Sequence, residues 1–213
     1  MRRAVARSAF RPRIEVCGIG AAAAARAAEA ALAREPLHGA LVIGLCGFLV
    51  PGLRVGEVAI YSSIQDEHVT LEIDAALVKE LSALLPSARS VRAVQSPAIV
   101  ALPSAKDALA QRFGAQAVDM ESFTLVERLR RAGVGAGIVR VGSDTSDDEL
   151  PDLAVALDSS GELDRLKLAR ILLARPAAGL RLARNGLRAL AALERTVEQL
   201  CAYVPGAVPS PNA

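Results

Sequence analysis

Asp119, Glu121 and Asp144 are the side chains whose types and spacing point most directly to chemistry. The stretch Ala-Val-Asp119-Met120-Glu121-Ser122 places two carboxylates two residues apart around a thioether. A carboxylate accepts two hydrogen bonds side by side, which suits a vicinal diol such as the 2′- and 3′-hydroxyls of a ribose. Met120 would then supply an apolar, deformable surface beneath a sugar or base. The same acids equally suit the N-terminus of a helix starting at Ser122, where free amides and the dipole favour negative charge. Ser143-Asp144 follows an apolar run carrying Arg140. A carboxyl there can act as a general acid if burial raises its pKa, giving a proton to a leaving nitrogen. The alternative is a loop carboxylate paired with Arg140. Asp147, Asp148 and Glu149 read as solvated loop charges, because no histidine or second acidic cluster completes a metal site.

The elements that must position these acids can be read from apolar runs and breakers. Residues 116–118 and 137–141 are short strands with one helix, 122–132, between them: a βαβ unit with acids where the strands stop. In open α/β sheets that crevice is where ligands bind. Upstream, 13–17 reads as a strand, Gly18-Ile19-Gly20 as a turn and 21–34 as an Ala-rich helix ended by Pro36. A buried strand follows over 40–44, then Gly44 and Gly47 let the backbone bend closely over something, and Pro51-Gly52 turns into a strand over 56–61. Residues 62–90 read as a loop and a helix carrying Leu71, Leu77, Leu81 and Leu84. A strand over 90–100 is broken at Pro97, and a helix over 104–113 is capped by Ser104. From 161 to 203 the chain is helical with a break at Pro176. Its apolar positions are Leu163, Leu166, Ile171 and Leu173, then Leu187, Leu190, Leu193 and Val197. Strands alternating with helices throughout make this an α/β, three-layer domain.

Gly18-Ile19-Gly20-Ala-Ala-Ala23 fits the Gly-x-Gly-x-x-Gly/Ala dinucleotide pattern, but the next strand ends without the acid that would hold a ribose. Close helix–strand packing explains the small residues as well.

The chain has 213 residues, 52% of them hydrophobic but only 3% aromatic, so one aliphatic core is expected and a single domain over 1–213. Net charge of +2 gives no case for nucleic acid. The longest apolar stretch, 39–53, spans 15 residues and contains Pro51-Gly52, too short for a membrane span. Cys17, Cys46 and Cys201 lack metal-ligand spacing, which predicts reduced thiols in a cytoplasmic protein. His38 and His68 read as surface residues. The first 13 residues hold five arginines, and the last ten hold three prolines, as a flexible tail over 204–213 would. Between 161 and 200 there are eight Lys/Arg against four Asp/Glu, a basic amphipathic segment suited to an anionic membrane or to a subunit interface.

Three stretches carry a family resemblance. Gly44-Leu-Cys46-Gly47-Phe-Leu-Val-Pro-Gly-Leu-Arg-Val-Gly56-Glu57-Val resembles the glycine-rich strand-loop-strand of the purine nucleoside phosphorylase and methylthioadenosine/adenosylhomocysteine nucleosidase superfamily. Ala-Val-Asp119-Met120-Glu121-Ser122 resembles its ribose-binding signature, and Val-Arg140-Val-Gly-Ser143-Asp144 its acid-bearing strand, in the same order. Ala98 to Lys106, Asp148 to Asp158 and the basic helices beyond Gly161 look like the hopanoid-associated branch, which removes adenine from adenosylhopane.

The resemblance implies a nucleoside-phosphorylase-like fold with a central mixed sheet flanked by helices. It implies cleavage of the N-glycosidic bond of an adenine nucleoside, with phosphate as acceptor, no cofactor and no metal. Glu121 would bind the ribose hydroxyls, with Met120 packed on the sugar and Asp119 beside them. Asp144, next to Ser143, would protonate or hydrogen-bond adenine on its N7 side. Cys46 and Gly47 would run along the nucleoside, and Ile99 and Val100 would line the base. The expected partners are a small-molecule nucleoside and phosphate, a peripheral membrane contact through 161–200, and further copies in a homo-oligomer. Two departures stand out. The family's first strand, which in its hydrolytic members leads to a water-activating glutamate, has no counterpart, since Met1-Arg-Arg-Ala-Val resembles the helix after it, and this would leave a sheet edge unpaired. The strand before Gly44 lacks the phosphate-gripping arginine of trimeric and hexameric phosphorylases, so phosphate would rest on the Gly18 and Gly20 amides. Hydrolysis, or nucleoside binding without catalysis, are the alternatives.

Overall fold

A nine-residue apolar run with glycines at two of its positions becomes β1 (Ala40–Phe48), the strand against which the acid-bearing elements are set. The computed structural model describes residues 12–151, 164, 166–167, 170 and 176–202. In chain order, α1 (Ala21–Arg34) precedes β1, and β2 (Val58–Gln65), β3 (Thr70–Glu72), α2 (Ala75–Leu84) and β4 (Arg89–Gln95) follow it. Then come α3 (Pro103–Phe113), β5 (Ala117–Asp119), α4 (Ser122–Arg131), β6 (Ala136–Asp144) and α5 (Pro176–Ala202).

The sheet is mixed, in the order β3-β2-β4-β5-β1-β6, and β2 pairs with β6 as well. That extra pairing curls the sheet into a ring. β1 runs parallel to β6 with Gly44 opposite Arg140 and Gly47 opposite Asp144. β5 runs antiparallel to β1 with Gly47 opposite Val118. The carboxyl ends of β1, β5 and β6 therefore meet at one place. Over 40–46, β1 pairs with β6 alone among the described residues, and its other edge faces a cavity.

Helices cover both faces. Phe123, Val126 and Leu129 of α4 join Val42, Cys46, Tyr61 and Ile138 in the largest core cluster, and Leu81 of α2 packs with Ile60 and Val139. Ala189 and Ala192 of α5 meet Val55 and Val141. Aromatics are scarce and used sparingly: the Phe48 ring lies over Gly142, where an added Cβ would stand 2.1 Å from Cε2.

The α/β class, the mixed sheet and the flanking helices are as the sequence predicts. Several particulars are not. Residues 13–17 are not a strand; they run without regular structure, and no strand hydrogen-bonds to them. β5–α4–β6 is not a parallel βαβ unit, because β1 lies between the two strands and β5 is antiparallel to it. β1 continues past Gly44 to Phe48, so the glycines sit inside a strand rather than at a bend. Leu71 belongs to β3, not to the helix. α3 starts one residue before Ser104, and its N-cap is Leu102, without a side-chain cap. In α5, Leu187 and Leu190 face outward, 71% and 52% exposed, while Ala189, Ala192, Thr196 and Val197 turn inward. Leu163, Ile171, Leu173, the Arg-rich start to residue 11 and the tail from 203 lie outside the described residues.

Candidate active site

Asp119 closes β5, and its carboxylate turns back on the helix that follows. Its Oδ1 accepts from the amides of Glu121 at 3.0 Å and Ser122 at 2.9 Å, and the Ser122 hydroxyl donates to Oδ2. The helix-capping reading is thus right for Asp119. It does not hold for Glu121, which occupies the N-cap position without a side-chain cap bond and reaches elsewhere. Glu121 Oε1 accepts from the Gly20 amide at 2.8 Å. Gly20 has φ of +91°, a conformation that disfavours any side chain, and this turn is what aims its amide. Gly20 therefore serves Glu121, and no strand precedes it as the dinucleotide pattern requires.

Between the two carboxylates lies Arg140, in the middle of β6 and 5% exposed. Its Nε stands 3.1 Å from Asp119 Oδ2, its Nη2 is 3.6 Å from Glu121 Oε2, and Nη2 also donates to Ser122 Oγ at 2.7 Å. Room for it comes from Gly44, since a Cβ there would lie 2.1 Å from Nη1. Arg140 does not pair with Asp144 as expected. In register with Gly44 of β1 and four residues upstream of Asp144, it reaches across β1 to Asp119 at the end of β5. Burial raises the Glu121 pKa above 4.5, against the lowering effect of Arg140, and Asp119 adds to the rise. The Arg140 pKa moves up: burial opposes its charge, but Asp119, Tyr61 and Glu121 outweigh that.

Asp144 ends β6 and is 6% exposed, held within the strand rather than in a loop. Its partner is Lys106 of α3, whose Nζ lies 2.6 Å from Oδ2. Ser143 Oγ donates to Asp144 Oδ1 at 2.7 Å. Gly47 leaves the space: a Cβ there would lie 2.9 Å from Oδ2. Asp148 is not a solvated loop charge either. Its carboxylate accepts from the Thr145 amide and hydroxyl, both at 2.9 Å, and its carbonyl accepts from Lys106 at 3.0 Å.

Glu121 and Asp144 open onto one cavity of about 1260 Å³. Met120, Asp119, Cys46, Gly47, Ile99, Val100, Ser143 and Gly18 line it as well; Gly20 does not. Burial pushes the Cys46 thiol far up and the Cys17 thiol up to about 11, so neither is a nucleophile near neutral pH. Ile14, Val16, Leu41, Ile43, Leu182 and Leu200 add apolar side chains to the lining of the same cavity, along with Arg13, Glu15, Glu35 and His38. Among the described residues no group of three or more His, Cys, Asp or Glu is placed to hold a metal, and His38 and His68 are exposed.

Residues 10–174 match the family model of the phosphorylase superfamily. The chain belongs to that superfamily. Among solved structures it is similar to the 5′-methylthioadenosine/S-adenosylhomocysteine nucleosidase of Neisseria meningitidis in complex with methylthio-immucillin-A. The TM-score is 0.67 at 16% identity, covering 88% of this chain and 79% of that one. The corresponding nucleosidase of Streptococcus pneumoniae gives 0.62 at 16% identity, over 86% and 79%. The futalosine hydrolase of Helicobacter pylori gives 0.56 at 16% identity, over 82% and 75%. Identities this low establish the fold. No curated protein sequence matches.

Within this superfamily fold the sequence reading missed Lys106 as a site residue. It lies in a stretch where Ala105, Ala108 and Ala110 look like the buried positions. Only the tertiary arrangement turns the lysine inward, and the nearest local signal is that a single cation stands in that apolar helix start.

Proposed function

We propose that this chain cleaves the N-glycosidic bond of an adenine nucleoside and releases adenine. The observation that carries the reading is that Glu121 and Asp144, each fixed by its own buried cation, open onto one cavity with Met120. Glu121 accepts from the ribose hydroxyls while Met120 packs on the sugar. Asp144 gives a proton to N7 of adenine as the C1′–N9 electron pair passes to the base. Positive charge develops on the sugar ring, and the excess negative charge of Asp119 and Glu121 over Arg140 stabilises it. Ile99 and Val100 flank the base, with Cys46 and Gly47 beside the nucleoside.

For the acceptor, phosphate on Gly18 and Gly20 is the first reading, yet charge balance favours water. Arg140 is matched by Asp119 and Glu121, and the Gly20 amide is given to Glu121. A phosphate dianion there would meet no uncompensated cation from this group.

The cavity volume of about 1260 Å³ and the apolar side chains in its lining support a substrate with a bulky apolar 5′-substituent, as in an adenosyl lipid. Leu180, Leu187 and Leu190 of α5, 73%, 71% and 52% exposed, stand beside Arg184 and Arg188 and support delivery from an anionic membrane surface. Among the described residues no helix is long and apolar enough to cross a membrane.

The test is adenine release from methylthioadenosine, adenosine and an adenosyl lipid, with and without phosphate. Release without phosphate, yielding a reducing sugar, identifies water; a sugar 1-phosphate identifies phosphorolysis. Nucleoside binding by calorimetry without turnover would instead identify a non-catalytic relative.

A further inference from the structure

Lysine is almost never fully buried unless its charge is matched, and Lys106 is 0% exposed. Its ammonium has three hydrogens, and each has a defined acceptor. Nζ lies 2.6 Å from Asp144 Oδ2, 2.6 Å from the Thr145 carbonyl and 3.0 Å from the Asp148 carbonyl. The two carbonyls belong to the turn directly after β6, so they fix the ammonium relative to the strand end. The third hydrogen is then aimed at Asp144. The carboxyl is held on its other oxygen by Ser143, and Gly47 of β1 leaves it room, since an added Cβ there would lie 2.9 Å from Oδ2. Its orientation is set from two sides, by Lys106 and Ser143.

We propose that Lys106 is a positioning residue for departure of the base, orienting Asp144 and stabilising the carboxylate that forms when Asp144 gives up its proton. The inference rests on the adenine-releasing reading above. In the step itself the O–H bond of Asp144 breaks and an N7–H bond forms on the purine. The C1′–N9 electron pair moves into the base, which leaves neutral. Asp144 is left as a carboxylate facing a cation 2.6 Å away, and solvent returns its proton after product leaves. An opposite charge so close interacts favourably with the carboxylate left by that transfer. A lysine that only tied the 145–148 turn to α3 would make the same two carbonyl bonds but would have no bearing on which leaving group departs.

That difference is measurable. Lys106→Gln keeps an amide donor pair for the two carbonyls and removes the charge, Lys106→Met removes both, and Lys106→Arg keeps the charge. Each variant is assayed on methylthioadenosine, whose base needs a proton to leave, and on 4-nitrophenyl riboside, whose leaving group departs as a stable anion. Folding is checked by circular dichroism and thermal melting. For Lys106→Gln we expect kcat on methylthioadenosine to fall by ~100-fold or more, and kcat on the nitrophenyl riboside by less than about fivefold. Lys106→Arg should recover part of the lost adenine release. Equal losses on both substrates, or no loss on methylthioadenosine, would overturn the proposal. Should Lys106→Met fail to fold, the Gln and Arg variants decide between these outcomes. An inactive wild-type chain would overturn the functional reading itself and is recognised before any variant is made.

Discussion

Two buried cations flank the cavity and treat their carboxylates in different ways. Arg140 spreads a rigid fork over Asp119, Glu121 and Ser122, so one cation is outnumbered by two acids and the cluster keeps an excess of negative charge. Lys106 is a point charge that meets one carboxyl group, Asp144, and the carbonyls of Thr145 and Asp148. The first arrangement suits a standing anion beneath a sugar that becomes cationic. The second suits a group whose charge changes during the reaction. Both depend on glycines three residues apart on β1: Gly44 makes room for Arg140 and Gly47 for Asp144. One strand thus makes room for both charged clusters through the side chains it lacks.

The largest effect should come from separating the two sites by charge. Asp144→Asn removes the proton donor and the one carboxyl group beside Lys106, leaving its ammonium with two carbonyls only. We expect kcat on adenine nucleosides to fall by ~1,000-fold, with stability reduced by about 3 kcal/mol because a buried charge loses its partner. Steady-state kinetics and urea unfolding would measure both. A near-wild-type kcat would remove Asp144 from the chemistry and break the comparison.

The glycines come next. In Gly44→Ala the new Cβ would fall 2.1 Å from Arg140 Nη1, and in Gly47→Ala it would fall 2.9 Å from Asp144 Oδ2. Gly44→Ala has to displace a guanidinium that holds two carboxylates, so it should cost about 3 kcal/mol, against about 1–2 kcal/mol for Gly47→Ala. Thermal melts of the two variants would rank them, and the reverse order would show that the Arg140 cluster is the more yielding of the two.

The smallest effect is a shift along the pH axis. Burial, opposed by Arg140, raises the Glu121 pKa above 4.5, so its carboxyl keeps a proton to higher pH than an ordinary glutamate. The stability contributed by that bound proton is fully present below the unfolded value of 4.5 and is lost as pH rises through the folded value. Binding of a diol needs the charged form and runs the other way. KM should rise as pH falls through the raised pKa, earlier than the ordinary range would give. Glu121→Gln should flatten both curves, as read from KM and from melting temperature against pH. Unchanged profiles would place Glu121 away from the sugar.

Much of this was legible in sequence. The three acids, the helix 122–132 after Asp119 and the buried run at 40–44 all follow from residue type and spacing, which are local properties. The pairing of charges did not follow. Arg140 lies four residues before Asp144 in sequence and was the natural partner to assign. In the strand, however, Arg140 is in register with Gly44 of β1, and its side chain reaches across that strand to Asp119 at the end of β5. Lys106 looked like one lysine in an alanine-rich helix start. Leu187 and Leu190 follow helical spacing as well as the buried Ala189 and Ala192 do, so spacing alone does not separate the outward face of α5 from the inward one.

The amino-acid order alone determined the alternation of strands and helices, the aliphatic core and the identity of the carboxylates, because each depends on neighbours within a few residues. Which cation meets which carboxylate, and that both acids open onto one cavity, was decided only in three dimensions. Those facts depend on the register of β1 against β5 and β6 and on the side chains missing at Gly44 and Gly47, and no local pattern encodes a register between distant strands.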